Sequence, residues 1–183
     1  MQAIAIICLS VLSCTLYGVL HDQVTARICV EYFTIGHPPV FNTTSPTLLA
    51  FGWGVIATWW VGILLGVPLA LAARAGPWPR RDVRSLFRPL IILMGVCALS
   101  ACLAGTIGYF LARNGTVWLV EPLASRVPES RHVPFLTDLW AHSASYLVGF
   151  IGGLVLVIVV VIGRARAAHP PGAWSRCHRE GTP

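Results

Sequence analysis

The stretch Leu139-Trp-Ala-His-Ser-Ala-Ser-Tyr-Leu-Val-Gly-Phe-Ile-Gly-Gly-Leu-Val-Leu-Val-Ile-Val-Val-Val-Ile-Gly163 carries no charged side chain. As a helix rising ~1.5 Å per residue it is long enough to cross a hydrocarbon layer ~30 Å thick. Three further stretches share its character: Ala3–Leu20, Leu48–Ala73 and Pro89–Ala112. Each of the four runs to about 18–26 residues, the length a spanning helix requires. The whole 183-residue chain is 56% hydrophobic and 11% charged, with a mean hydropathy of +0.73. That leaves too little polar surface to cover a water-soluble domain. The expected fold is therefore all-α, an integral membrane four-helix bundle forming one domain over residues 1–163.

Charge placement orients the bundle. All 13 basic residues are arginine, a bias that hints at a GC-rich bacterial genome. Arg74, Arg80, Arg81, Arg84 and Arg88 lie between the second and third spans, and Arg164, Arg166, Arg176 and Arg179 follow the fourth. Only Arg27, Arg113, Arg126 and Arg131 lie on the opposite side. The positive-inside rule then puts both termini in the cytoplasm of a bacterial inner membrane and the two longer loops outside. The net charge of +6 suits anionic lipid headgroups on the cytoplasmic side rather than nucleic acid. Residues 164–183, rich in Pro, Gly and Arg, are expected to form a disordered cytoplasmic tail. The first span lacks a basic leader, so it is read as a retained helix rather than a signal peptide.

In lipid, helices associate by close packing rather than by a hydrophobic force. Small residues recur every fourth position at Thr58, Gly62, Gly66 and Ala70, at Ala104, Gly108 and Ala112, and at Ala141, Ser145, Gly149 and Gly153. These stripes favour a tight bundle, and one of them is also available for a homo- or hetero-oligomer. Six scattered cysteines without a C-x-x-C read as small packing residues, not as a disulfide or zinc framework.

The first span has no stop signal at its end. No proline or strong breaker occurs until Gly36-His37-Pro38-Pro39, so one helix, bent near Gly18, is expected to extend past the membrane as far as Ile35. On a continuous helical wheel His21, Val24, Ile28, Glu31, Tyr32 and Ile35 share a face, with Arg27 at its edge, while Asp22 points elsewhere. Arg27 and Glu31 are one turn apart and are expected to form a structural ion pair.

Ionisable groups thus gather in an outer polar cap. Asp138 and His142, four apart on one helical face, could join Glu31 and His37, with His21 supporting, in a carboxylate–imidazole site for zinc, iron or copper. Alternatively, Asp138 stabilises its helix N-terminus and His142 bonds to a neighbouring helix. No phosphate-binding glycine loop or haem-attachment motif occurs, and adjacent Ser143 and His142 point apart, which excludes a catalytic Ser–His pair on that helix.

Tyr17-Gly18-x-x-His21-Asp22-Gln23 followed by Glu31-Tyr32-Phe33-Thr34, with Gly52-Trp53-Gly54 and Trp59-Trp60, resembles a family of small, uncharacterised bacterial multi-pass membrane proteins. The resemblance covers roughly the first 75 residues and implies membrane insertion, but brings no activity, so no catalytic residue is assigned. Two functional expectations follow. The first is a non-enzymatic structural or accessory membrane component whose polar cap locks the outer loops. The second is a metal- or cofactor-binding membrane protein with its site at the outer interface.

Overall fold

The computed structural model describes residues 1–169. It is all-helical among those residues: α1 (Gln2–Ile28), α2 (Val30–Thr34), α3 (Pro46–Arg74), α4 (Val83–Arg113), α5 (Leu123–Arg126), a 3-10 turn (Glu129–Arg131) and α6 (His132–Ala168). Four of these helices, α1, α3, α4 and α6, are long and apolar enough to cross a membrane. Their outer faces expose Leu12, Leu16, Leu64, Leu99, Leu147 and Phe150, an apolar belt that lipid would cover.

Each spanning helix is longer than its apolar core alone predicts, because the polar residues flanking the core also take helical geometry. Pro46 opens α3 in the first helical turn, where its missing N–H costs nothing. Asp82 caps α4, its side chain accepting from the Ser85 backbone N–H at 2.9 Å. The arginine-rich connection between α3 and α4 is therefore helical from Val83 onward, with Pro89 inside the helix.

The fourth helix runs on to Ala168, so residues 164–168, expected in the tail, belong to it. Arg164 is 2% exposed. Its guanidinium donates to the carbonyls of Pro79 (2.9 Å), Ala75 (2.8 Å), Trp78 (3.0 Å) and Ala72. A cation thus satisfies carbonyls that the end of α3 leaves without helical partners. The rest of the expected tail, with Arg176, Cys177 and Arg179, lies outside the described residues.

The bundle consists of two close helix pairs, α1 with α3 and α4 with α6. Glycines decide the first pair: a Cβ on Gly54 would lie 2.6 Å from Val19 Cα, and one on Gly62 only 2.5 Å from Val11 Cα. Backbone meets backbone there, which no larger residue permits. In the second pair, Gly105 and Gly108 of α4 receive Ala141 and Trp140 of α6. Between the pairs, α3 and α6 touch only sparsely, and a gap opens between them. At the arginine-rich end a core of Ile6, Leu69, Leu86, Leu90 and Val160 closes the bundle. At the other end Cys29, Leu119, Val127, Phe135 and Leu136 bury the loops into a cap.

Candidate metal centre

The first helix does not continue to Ile35. It stops at Ile28, because Cys29 takes an extended conformation (φ −144°, ψ 97°), and α2 restarts on a new axis. The break buries Cys29 and Phe33 in separate apolar clusters, which a straight helix would not allow. The helix ends for good at Thr34, just before Gly36, as the terminator predicts.

That break redistributes the polar residues. Glu31 turns away from Arg27 and pairs instead with Arg131, whose Nε lies 2.9 Å from Glu31 Oε2. Arg131 also donates to the Ile28 carbonyl at 3.0 Å, tying the second loop to the end of α1. Arg27 bonds Gln23 and the Thr47 hydroxyl. The expected Arg27–Glu31 pair is thus corrected, since its one-turn spacing required a helix that Cys29 interrupts. Partial burial works to raise the Glu31 carboxyl, but bonding to Arg131 outweighs it and holds the group below its ordinary 4.5.

Of the five expected ligands, His21 and His142 come together, their ring centroids 4.5 Å apart. Glu31 is withdrawn by Arg131. His37 bonds through Nδ1 to the Tyr32 carbonyl at 2.9 Å, beside Phe33 and Trp53. Burial there lowers the affinity of His37 for a proton. Asp138 is fully buried six residues into α6, beyond the first turn, so a helix-dipole role does not fit it. Both its carboxylate oxygens lack a hydrogen-bond partner. Glu129 and His132, three apart, take no part: Glu129 is exposed and His132 bonds the Val127 carbonyl.

Asp22 supplies what the wheel did not foresee. It is buried, with Oδ1 3.2 Å from His142 Nε2. One ligand atom each from His21, Asp22 and His142 lie within 4.8 Å of one another. Although His21 and Asp22 diverge on α1, the His142 ring of α6 reaches both. The signal was present in the sequence: a helix running unbroken to Ile28 encloses His21-Asp22, and ionisable residues inside a span are rarely idle. The cluster is sunk by about seven residues from the end of α1 and ten from the start of α6, roughly 10–15 Å.

The hydrogen bonds set its chemistry. His142 Nδ1 lies 2.8 Å from the Asp138 carbonyl, which can only accept, so Nδ1 carries a proton. A neutral His142 then aims its Nε2 lone pair at the Asp22 carboxylate, an acceptor facing an acceptor. His21 Nε2 is buried without a partner. A proton or a metal cation must sit among these groups. Backbone carbonyls orienting imidazoles in this way are the usual supporting partners of metal-bound histidines.

Buried cysteines take no part in this arrangement. Burial lifts the Cys29 thiol to about 11, and its Sγ lies 3.4 Å from Glu31. The five described cysteines are free, consistent with packing roles for Cys14, Cys29 and Cys97, which are buried.

Beneath the cluster lies a cavity of about 530 Å³ between α3 and α6. Its cap end is polar and aromatic, with Tyr17, Tyr32, Trp53 and Tyr146; the remainder is lined by Leu64, Leu65, Phe150, Leu154 and Val157. Tyr17 and Ser145 meet across it, oxygen to oxygen, at 2.6 Å.

Fold and site together define a four-span helical membrane protein with a buried His–Asp–His cluster at the head of an apolar cavity. No family model matches the chain, and neither a curated protein nor a solved structure matches it.

Proposed function

We propose that this is a multi-pass membrane protein that holds a divalent transition metal, zinc or ferrous iron, on His21, Asp22 and His142. The observation that carries the proposal is the convergence of two imidazoles and one carboxylate, with the His142 N–H turned away to the Asp138 carbonyl and His21 Nε2 buried without a partner. Two histidines and one carboxylate leave coordination positions open, the arrangement found in catalytic zinc and non-haem iron centres. Ligand atoms in a tetrahedral site with bonds of ~2.1 Å stand ~3.4 Å apart, so the cluster needs to contract by little more than ~1 Å on loading. The ligand set differs from the one the sequence suggested: Asp22 replaces Glu31, His37 and Asp138. The arginine distribution supports a bacterial inner membrane with cytoplasmic termini and the site near the periplasmic face, and an anionic headgroup layer beside Arg80, Arg81 and Arg84.

The competing arrangement places a proton where the metal would be, giving an imidazolium–carboxylate pair between His142 and Asp22 that locks α1 to α6. It would leave the accessory, non-enzymatic role. Purified full-length protein, loaded with Co(II) and dialysed, distinguishes them by elemental analysis and visible spectroscopy. The metal reading expects about one ion per chain with intense d–d bands, loss of both in Asp22→Asn and His142→Ala, and full retention in Glu31→Gln. Sub-stoichiometric metal in the wild type, or equal loss in Glu31→Gln, refutes it.

A further inference from the structure

The cavity extends far beyond what a metal ion requires. On α3 its lining runs from Trp53 to Pro68, and on α6 from His142 to Val157. Fifteen helical residues on each wall give a groove ~22 Å long. Half of a hydrocarbon core is only ~15 Å, so the groove passes the bilayer midplane. Its side is open to lipid: Trp60, Leu64, Phe150 and Leu154 border it and are 46%, 65%, 69% and 51% exposed. An unbranched hydrocarbon tail could therefore enter laterally, between the two helix pairs, without crossing water.

The head end selects the ligand. No arginine lines it, and the nearby acids are Asp22 and Asp138, so in the metal-free site an anionic headgroup meets no free cation among the described residues. The neutral partners there are a buried His21 Nε2 without a hydrogen-bond partner and the Tyr17 and Ser145 hydroxyls. Planar side chains surround the same point: Tyr32 stacks on His142 at 4.5 Å, and His37 lies 4.6 Å from Trp53. Aromatic walls favour a ring, and an unpartnered imidazole nitrogen favours a hydroxyl, which can donate to it or accept from it.

We infer that the groove binds a long-tailed quinol, its ring among Tyr32, Trp53 and Tyr146, one ring hydroxyl at His21, and its tail between α3 and α6. The inference shares the His21–Asp22–His142 end with the metal proposal but rests on the groove. With a metal present, the hydroxyl oxygen takes an open coordination position; without it, the hydroxyl hydrogen-bonds His21 Nε2.

The test uses full-length protein in phosphatidylcholine nanodiscs under argon. Quenching of intrinsic tryptophan fluorescence is followed on titration with decyl-benzoquinol, and hexadecanoic acid and hexadecane are compared by their displacement of the bound quinol. Gly149→Leu and Ala57→Leu fill the groove from opposite walls; a Cβ on Gly149 meets only Cys97 Sγ, at 3.7 Å, so the helix packing tolerates it. Gly95→Leu, with nothing within 4 Å, is the control. The quinol should bind saturably and more tightly than the acid or the alkane. Both groove variants should weaken it about tenfold or more, equivalent to ~1.4 kcal/mol, while keeping their Co(II) and their melting behaviour, and Gly95→Leu should be unaffected. Non-saturable quenching, tighter binding of hexadecanoic acid, or unchanged affinity in both groove variants overturns the inference. Loss of Co(II) with quinol binding intact would sink only the metal proposal.

Discussion

Replacing Gly62 with alanine should weaken the α1–α3 contact. The added Cβ would stand 2.5 Å from Val11 Cα, 3.0 Å from Val11 N and 3.1 Å from the Ser10 carbonyl. Carbon atoms rest at about 3.5–4.0 Å, so the two backbones must part by about 1 Å. Neither backbone can rotate out of the way as a side chain would. Gly54 against Val19 and Gly66 against Ile7 lie on the same seam, and separation at Gly62 loosens both. Overpacking of this kind costs about 1–3 kcal/mol. Part of that is masked, because alanine suits a helix better than glycine by roughly 0.5–1 kcal/mol. Gly95→Ala, where the new methyl meets nothing within 4 Å, measures the masked part. The assay is reversible unfolding in mixed micelles of rising dodecyl sulfate fraction, followed by far-ultraviolet circular dichroism. Gly62→Ala should fall below Gly95→Ala by about 1–3 kcal/mol. It should also bind Co(II) less tightly, since moving α1 displaces His21 and Asp22 from His142. Equal stability of the two variants would refute backbone-to-backbone packing as the basis of this helix pair.

Removing the cap ion pair with Glu31→Gln should cost no more than about 1 kcal/mol, because both side chains are partly exposed. The folded Glu31 carboxyl lies below its ordinary 4.5, so its contribution is complete above that pH and fades as the pH falls through the lowered value. The stability gap between wild type and Glu31→Gln should therefore close on acidification from about pH 5; a constant gap would show that Arg131 gains nothing from the charge. Arg164→Ala abandons four carbonyls at the turn between α3 and α4, at a cost of roughly 2–3 kcal/mol. Trypsin should then cut the exposed Arg80–Arg81 segment faster than in wild type, and an unchanged rate would remove Arg164 as the clamp of that turn.

Much of the bundle is legible in composition because lipid imposes a one-dimensional rule. Backbone groups in hydrocarbon must pair within their own helix, so an uncharged run of sufficient length has a single solution. The glycines at 62 and 66 likewise announce a close helix contact by spacing alone. Gly105, beside Ala141, was harder to foresee, because the α4 stripe that faces α6 drifts by a residue from strict fourfold spacing.

The break at Cys29 had no local warning. Cysteine neither removes a backbone N–H nor favours the left-handed region, and only the burial of Cys29 and Phe33 in different clusters rewards the turn. The misassigned ion pair of the cap descends from it. Wheel arithmetic is valid only while the helix continues, so Glu31 was assigned to Arg27 instead of Arg131, which lies 100 residues away.

The amino-acid sequence by itself therefore determined the solvent of this protein, the number of crossings and the small residues that let helices approach, since each depends on local hydrophobicity and side-chain size. Only the tertiary structure decided which polar groups meet. The contact between Asp22 and His142 spans 120 residues, and the groove lies where α3 and α6 touch only sparsely. The sparse contact of α3 with α6 and the meeting of Asp22 with His142 are properties of how rigid helices dock, for which local composition carries no coordinate.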